Sequence, residues 1–317
     1  MLRWKVFCNL NLELKPDALK KLEEIADIDY FPADQKILFD KISDYDAYLA
    51  SAAVKIDYEI LDQAKRLKVI ATPSTGTDHI DRDTACAKGI DIIDIAKEYD
   101  LLNSFTATAE MAWALLLACI RGLAPAIDDA KSGKWSRQKF TGVQLAEKTL
   151  GILGFGRLGK MVAEYGKAFG MRVIACDLNE FSREGVEKVD FDTLLKDADV
   201  LSLHIHLNKD NQDLINRNAI SKMKDGVVIV NTSRGGIIDE AALLDGLRSK
   251  KVKAAGLDIV CGEWDNDLNN HPLIKYARDN HNLVITPHIA GSTIESIIGA
   301  RVFIGNKLTE YIKEKEK

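Results

Sequence analysis

Short β-branched apolar runs alternate with longer stretches of helical period along the chain, the pattern of α/β architecture with parallel sheets. From residue 149 the rhythm is cleanest. Thr149–Phe155, Arg172–Cys176, Val200–Ile205, Val227–Thr232, Ala254–Val260 and Leu283–Thr286 are largely apolar runs, each fit for a strand covered on both faces. Six such strands with helices between them predict a doubly wound, Rossmann-type sheet. In the first hundred residues the predicted strands are Lys5–Leu10, Ala47–Ser51, Lys68–Thr72 and Asp91–Ile95. Asp57–Arg66 and Asp81–Lys88 are predicted as helices, the second closed by Gly89. Thr106–Arg121 is a long helix that is apolar nearly all round, so it must be buried, between domains or against a second subunit. The polar tail, Lys313–Lys317, is expected to be solvated and frayed.

With 317 residues the chain has room for two domains. Its formal net charge of −5 lacks the basic excess a nucleic-acid binder needs, so no nucleic-acid partner is expected. Cys8, Cys86, Cys119, Cys176 and Cys261 are scattered and odd in number, a poor disulfide framework and a poor zinc site. No metal is expected, and the thiols are read as buried small hydrophobes in a reducing, cytoplasmic setting. The opening stretch Met1-Leu2-Arg3-Trp4-Lys5-Val6-Phe7 meets Asn9 and Asn11 too early for a signal-peptide core. Met111–Ile120 stops at Arg121 and is too short to span a bilayer, so no membrane role is expected.

Gly154-Phe155-Gly156-Arg157-Leu158-Gly159 fits G-x-G-x-x-G, directly after a predicted strand and before a helical stretch, Lys160–Phe169. Glycines there permit a tight turn and let backbone N–H groups approach a pyrophosphate at a helix N-terminus. Asp177 closes the next strand, where an acid would hold the adenosine ribose hydroxyls and repel a 2′-phosphate. NAD is therefore the expected cofactor, with Arg183 close enough to soften the preference.

Hydride can leave C2 of a hydroxy acid only if the hydroxyl proton leaves as well. Such a site needs a base working near neutral pH, a cation for the carboxylate and a group that orients the base. Three candidates follow the carboxyl ends of predicted strands, where sites of open α/β sheets gather. Arg234 has the planar fork for a bidentate hold on a carboxylate. His288 has the right chemistry for proton exchange. Glu263 is the carboxylate available to fix its tautomer.

These motifs together resemble the D-isomer-specific 2-hydroxyacid dehydrogenase family. The resemblance rests on Gly154–Gly159, Asn231–Gly235, Gly256–Glu263 and Thr286–Gly291, with Ser74–Asp81, Thr108–Glu110, Asp199–His204 and the pair His271-Pro272. It implies NAD-dependent hydride transfer at C2 of a small 2-hydroxy or 2-oxo acid. Arg234, Glu263 and His288 would be the catalytic triad, and Thr75 and Gly76, with Arg234, would hold the substrate carboxylate. Cofactor contacts would come from Gly154, Gly156, Arg157, Leu158, Gly159 and Asp177, with Thr232 and Asp258 on the nicotinamide side and His204 near the adenine. The family's fold implies a smaller flavodoxin-like α/β substrate domain made of residues 1–102 and 290–317. Residues 103–289 would form the NAD-binding Rossmann domain, with the active site between the two and a homodimer joined through the nucleotide-binding part.

The chain departs from the family in three places. Trp264 follows Glu263 where the family usually has proline, and His204-Ile205-His206 replaces H-x-P, which places His206 on a pocket rim. Phosphoglycerate-handling relatives carry arginines in the segment matching Leu49-Ala50-Ser51-Ala52-Ala53, and no regulatory domain is expected. An unphosphorylated substrate is expected. The competing readings are an NAD(H)-sensing, corepressor-like binding protein on the same fold and an enzyme that oxidises a small inorganic or one-carbon anion.

Overall fold

A computed structural model describes residues 3–264 and 267–317. Met1 and Leu2, where the stretch read above as no signal peptide begins, lie outside the described residues. The chain divides into two compact units, Met1–Phe105 with Ser292–Lys317, and Thr106–Gly291. The crossings are fixed locally. Phe105 N donates to Leu102 O and Ser104 Oγ to Leu101 O, which holds these residues in the first unit. Ala290 N donates to Asp258 Oδ2, which holds that segment in the second.

The first unit is a five-stranded parallel sheet: β1 (Trp4–Cys8), β2 (Ala26–Tyr30), β3 (Ala47–Leu49), β4 (Val69–Ala71) and β5 (Asp91–Ile93). Their order, β2-β1-β3-β4-β5, is the flavodoxin-like one. β2 is missing from the sequence reading because Ala26-Asp27-Ile28-Asp29-Tyr30 is an edge strand with only Ala26 buried, so it carries no apolar run. The two predicted helices form as Tyr58–Gln63 and Arg82–Ala87, capped by Asp57 and Asp81, whose carboxylates accept from Ile60 N and Thr84 N. The helix Ile294–Lys315 returns to this unit. Its buried Ala300, Ile304, Leu308 and Ile312 recur every four residues and pack with Trp4, Val6 and Leu19. Helix continues through Lys315, and Lys313–Lys317 is exposed to solvent as expected.

The second unit is a seven-stranded parallel sheet: β6 (Thr149–Leu153), β7 (Arg172–Cys176), β8 (Val186–Lys188), β9 (Val200–Leu203), β10 (Val227–Asn231), β11 (Val252–Leu257) and β12 (Leu283–Ile285). Six of these are the apolar runs of the sequence, and β8 is additional. β8 is a three-residue edge strand, Val-Glu-Lys, with no fully buried side chain, and nothing in its composition sets it apart from a loop. The order β12-β11-β10-β9-β6-β7-β8 reverses direction at the β6–β9 pair, and a crevice at such a reversal is where doubly wound sheets bind ligands.

The apolar helix Ala107–Arg121 finds its cover within its own unit, where Ala109, Ala112, Leu115, Leu116 and Ile120 join the core formed with β6, β7 and β10. Tyr99–Arg121 as a whole is long and apolar enough to cross a membrane, yet it comprises two separate helices, Tyr99–Leu102 and Ala107–Arg121. Close packing on β11 depends on Gly256, where an added Cβ would lie 2.9 Å from Leu115 Cβ and 3.2 Å from Cys119 Sγ. The thiols depart from expectation at four positions: Cys8 alone is buried, Cys119 and Cys176 are partly exposed, and Cys86 and Cys261 are exposed. Gly256→Ala is expected to destabilise the fold by about 1–3 kcal/mol through overpacking. Urea unfolding should show this as a lowered midpoint, and an unchanged midpoint would mean the helix can lift from the sheet without cost.

Candidate active site

The glycine motif forms the turn between β6 and the helix Arg157–Ala168. Gly154 has φ +93°, and an added Cβ there would lie 2.6 Å from His204 O, so neither a side chain nor an ordinary backbone conformation fits. A Cβ on Gly159 would come 2.1 Å from Gly154 O, so the helix can start this close to the turn only with glycine. At Gly156 a Cβ would meet no protein atom within 4 Å. That side of the turn is open for a ligand to reach the N–H groups at the start of the helix. Arg157 and Leu158 are partly buried in its first turn, and burial lowers the Arg157 pKa.

Asp177 follows β7 as expected, and its carboxylate also holds the turn: Phe155 N donates to Oδ2 at 2.6 Å, and Asn179 N to Oδ1 at 2.8 Å. Arg183 is paired with Glu164 at 2.9 Å, and Lys167 shares that carboxylate at 2.8 Å. The cation near Asp177 that the sequence offered to a 2′-phosphate is therefore engaged elsewhere.

At the ends of β9 and β10, among the described residues, two polar atoms are buried without a hydrogen-bond partner, His204 Nδ1 and Thr232 Oγ1. Both belong to residues read from the sequence as cofactor contacts. Orphaned polar atoms are costly unless a ligand satisfies them, so this donor and acceptor set fits a dinucleotide lying across the crevice. His204 keeps some surface as a residue, but its ring is buried, with Nε2 2.8 Å from Ser202 Oγ, and desolvation pushes its pKa down to about 4. His206 is exposed, and its carbonyl accepts from Asn211 Nδ2 at 2.6 Å.

His288 and Glu263 are brought together. His288 Nδ1 lies 2.7 Å from Glu263 Oε2, and because a carboxylate only accepts, Nδ1 carries the proton. Nε2 is left as the nitrogen that can exchange one. His288 has φ +53°, which a residue with a side chain adopts only under constraint. The constraint is Asp258. Its buried carboxylate accepts from Thr286 Oγ1 at 2.6 Å, Ile289 N at 3.0 Å and Ala290 N at 2.7 Å. Its carbonyl oxygen accepts from His288 N at 2.7 Å. Asp258 is thus committed largely to the backbone around His288, a positioning job the sequence reading did not assign to it.

Arg234 stands just before a short 3-10 turn, Gly235–Ile237. Asn231 shapes its approach: Oδ1 accepts from Ser233 N and Nδ2 donates to Arg234 O, both at 2.9 Å. Gly235 lets this turn touch the Glu263 segment, since a Cβ there would lie 2.5 Å from Cys261 N and from Val260 C. Thr75 and Gly76 belong to the other unit, on the turn after β4. Ser74 in that turn accepts from Ile95 N through its carbonyl and from Thr72 Oγ1 through its hydroxyl. Two residues of the second unit escaped the sequence reading in this respect. Glu240, on the first turn of its helix, and His271, known there only as half of a His-Pro pair, both bond to Cys261. A glutamate at a helix start reads as a dipole partner, and only the tertiary contact reveals more.

The folded state keeps His204 neutral, while in the unfolded chain the same histidine, with its ordinary pKa of 6.5, accepts a proton. The unfolded chain therefore binds more protons between pH 6.5 and about 4. Stability should fall as pH drops through that window, by up to roughly 3 kcal/mol from this residue. Urea unfolding at pH 7 and pH 4.5, compared with His204→Gln, should show the steeper loss in the parent; equal losses would contradict the burial argument.

Comparison with known proteins identifies the family. A family profile described as D-isomer specific 2-hydroxyacid dehydrogenase, NAD binding domain, matches residues 113–290. The chain is 38% identical to a hydroxypyruvate reductase of Thermotoga maritima over 98% of both chains. It is also 38% identical to a D-3-phosphoglycerate dehydrogenase of Archaeoglobus fulgidus, over 87% of this chain but only 51% of that one. Among solved structures, a D-lactate dehydrogenase of Aquifex aeolicus, complexed with NAD and lactic acid, superposes with a TM-score of 0.84 at 30% identity, covering 98% of this chain and 96% of that one. The match of profile, full-length relatives and fold, on a chain whose motifs build a nucleotide turn and a carboxylate–imidazole pair, establishes that it belongs to the D-isomer specific 2-hydroxyacid dehydrogenase family of NAD-dependent oxidoreductases.

Proposed function

We propose that the chain reduces a small, unphosphorylated 2-oxo acid to its D-2-hydroxy acid with NADH, and that His288 is the general acid of reduction and the base of oxidation. The observation that carries this reading is the 2.7 Å contact between His288 Nδ1 and Glu263 Oε2. Glu263 fixes the tautomer and balances the imidazolium, so Nε2 presents a proton to the oxygen forming at C2. The nicotinamide supplies the hydride when bound. Arg234 holds the substrate carboxylate through its planar fork, and its positive charge favours the developing alkoxide. Thr75 and Gly76 are assigned to the same carboxylate by family resemblance. Gly154, Gly156, Arg157, Leu158 and Gly159 take the pyrophosphate, Asp177 the ribose, and Thr232 and His204 use their unpartnered atoms on the cofactor. The engagement of Arg183 by Glu164 supports NAD over NADP.

Two features favour an unphosphorylated acid. Leu49–Ala53 carries no cationic side chain that could neutralise a phosphate. Hydroxypyruvate reductase and glyoxylate reductase are also relatives matched over nearly their full length, whereas the chain spans about half of the D-3-phosphoglycerate dehydrogenase it matches. We assign the protein to the cytoplasm as a homodimer. The exposed Leu123, Ile127 and Trp135 of the second unit support a partner-facing surface there.

The test is NADH oxidation against glyoxylate, pyruvate, hydroxypyruvate and 3-phosphohydroxypyruvate, with NADPH and His288→Ala alongside. Turnover is expected with at least one of the first three, weaker with NADPH, and lower by about 10²–10⁴-fold in the variant. Undiminished turnover by His288→Ala would remove His288 from the mechanism, and preference for the phosphorylated acid would overturn the substrate assignment.

A further inference from the structure

Glu263 sits in an irregular turn after β11, outside any helix or strand. Its usefulness to His288 depends on where that turn is held. The turn is gripped two residues upstream, at Cys261, on both sides of one residue's backbone. Cys261 N donates to Glu240 Oε1 at 2.8 Å. His271 Nε2 lies 3.1 Å from Cys261 O and 3.2 Å from Glu240 Oε2, and because both are acceptors Nε2 carries the proton and donates to them. The side chains of Glu240 and His271 are only 17% and 12% exposed, so water competes weakly for these bonds.

Both grips stand on rigid supports. Glu240 is the first residue of the helix Glu240–Arg248, capped by Asp239, whose carboxylate accepts from Ala242 N. His271 precedes the helix Pro272–Asp279, where proline at the first position presets the backbone. The Arg234 turn leans on the same point, since Gly235 packs directly against Val260 and Cys261 backbone. The Cys261 thiol has no evident chemical part. Although the residue is exposed, partial desolvation of its sulfur, then the carboxylates of Glu240, Asp213 and Glu263, push its pKa up to about 12, so it stays protonated and weakly nucleophilic.

We propose that Glu240 and His271 form a second carboxylate–imidazole pair that positions the first: by clamping the Cys261 peptide groups they set the Glu263 carboxylate against His288 and fix the neighbouring Arg234 turn. They are positioning residues, acting through Glu263, and this role rests on the reading of His288–Glu263 as the acid–base pair. The groups facing the clamp are Glu240 and Asp213 on one side, Cys261 and Glu263 on the turn, and His271 on the other.

A double-mutant cycle separates this from a merely structural role. The assay is turnover of the fastest substrate among glyoxylate, pyruvate and hydroxypyruvate, with NADH affinity and thermal unfolding measured alongside. Glu240→Ala is expected to lower kcat about tenfold to a hundredfold, as a displaced catalytic group does, with NADH affinity unchanged. In a Glu263→Gln background the same substitution should cost nothing more, because the group it positions is already disabled. Its pH profile should move in the direction that Glu263→Gln moves it. Glu240→Gln, which keeps an acceptor for Cys261 N–H, should recover most of the rate, and His271→Ala should behave like Glu240→Ala. Equal fractional losses in both backgrounds, or an unchanged kcat, would overturn the proposal. If Glu240→Ala does not fold, His271→Ala runs the same cycle, with Glu240→Gln as its near-parental control, and decides it. If Glu263→Gln itself leaves kcat intact, the acid–base reading fails, and the proposal falls with it.

Discussion

His288 occupies a backbone conformation, φ +53°, that costs a residue with a Cβ about 1–2 kcal/mol relative to the ordinary regions. The chain holds it there with Asp258, a buried carboxylate that takes two backbone N–H groups and one hydroxyl from residues on either side of the histidine. An ionised carboxylate satisfied by several donors binds them more strongly than a neutral acceptor would. That clamp aims the imidazole, and the 2.7 Å contact with Glu263 then fixes which nitrogen carries the proton. Arg234, Glu263 and His288 all lie in segments that leave the carboxyl ends of parallel strands, so the doubly wound sheet supplies the common platform and the loops supply the aim.

The cofactor side follows a different logic. There the turn is built from glycines because backbone atoms would collide with any side chain at Gly154 or Gly159. Asp177 is placed at the end of the next strand and tied to the turn through Phe155 N, so the acid proposed for the ribose and the turn proposed for the pyrophosphate form one unit. Against this, His204 Nδ1 and Thr232 Oγ1 are left buried and unpaired, each a cost of about 1–3 kcal/mol to the free protein. A ligand that satisfies them recovers that cost, which makes binding and stability two readings of the same contacts.

The parts of this structure legible in the sequence are those where one physical demand acts on consecutive residues. Strands buried on both faces must be largely apolar, so six of the seven strands of the nucleotide-binding sheet stand out from residue 149 onward. A backbone that must approach a phosphate needs glycine at fixed spacing, so the turn stands out as well. β2 and β8 are edge strands with exposed, charged side chains, and no run of apolar residues betrays them. His288, Glu263 and Arg234 were legible as candidates because each follows a strand end and has the chemistry the proposed reaction needs, and the structure brings the first two into contact. Glu240 was not: its link to Cys261 joins the start of one helix to a turn 21 residues on, and only the folded chain brings them together. Asp258 was legible as important but not as a backbone clamp, because a carboxylate's partners are set by tertiary geometry. One face of the apolar helix Ala107–Arg121 is covered by the sheet of its own unit, a neighbour that the periodicity of the helix alone does not name.

The most direct test of the central claim is the pH dependence of turnover in both directions on the parent enzyme. Reduction needs imidazolium at His288 and oxidation needs imidazole. As pH increases, kcat/KM for the 2-oxo acid should fall and that for the D-2-hydroxy acid should rise. Both changes should pass through one shared titration that disappears in His288→Ala. Profiles that run parallel in the two directions, or a titration that survives the substitution, would contradict the assignment of His288 as the acid and base.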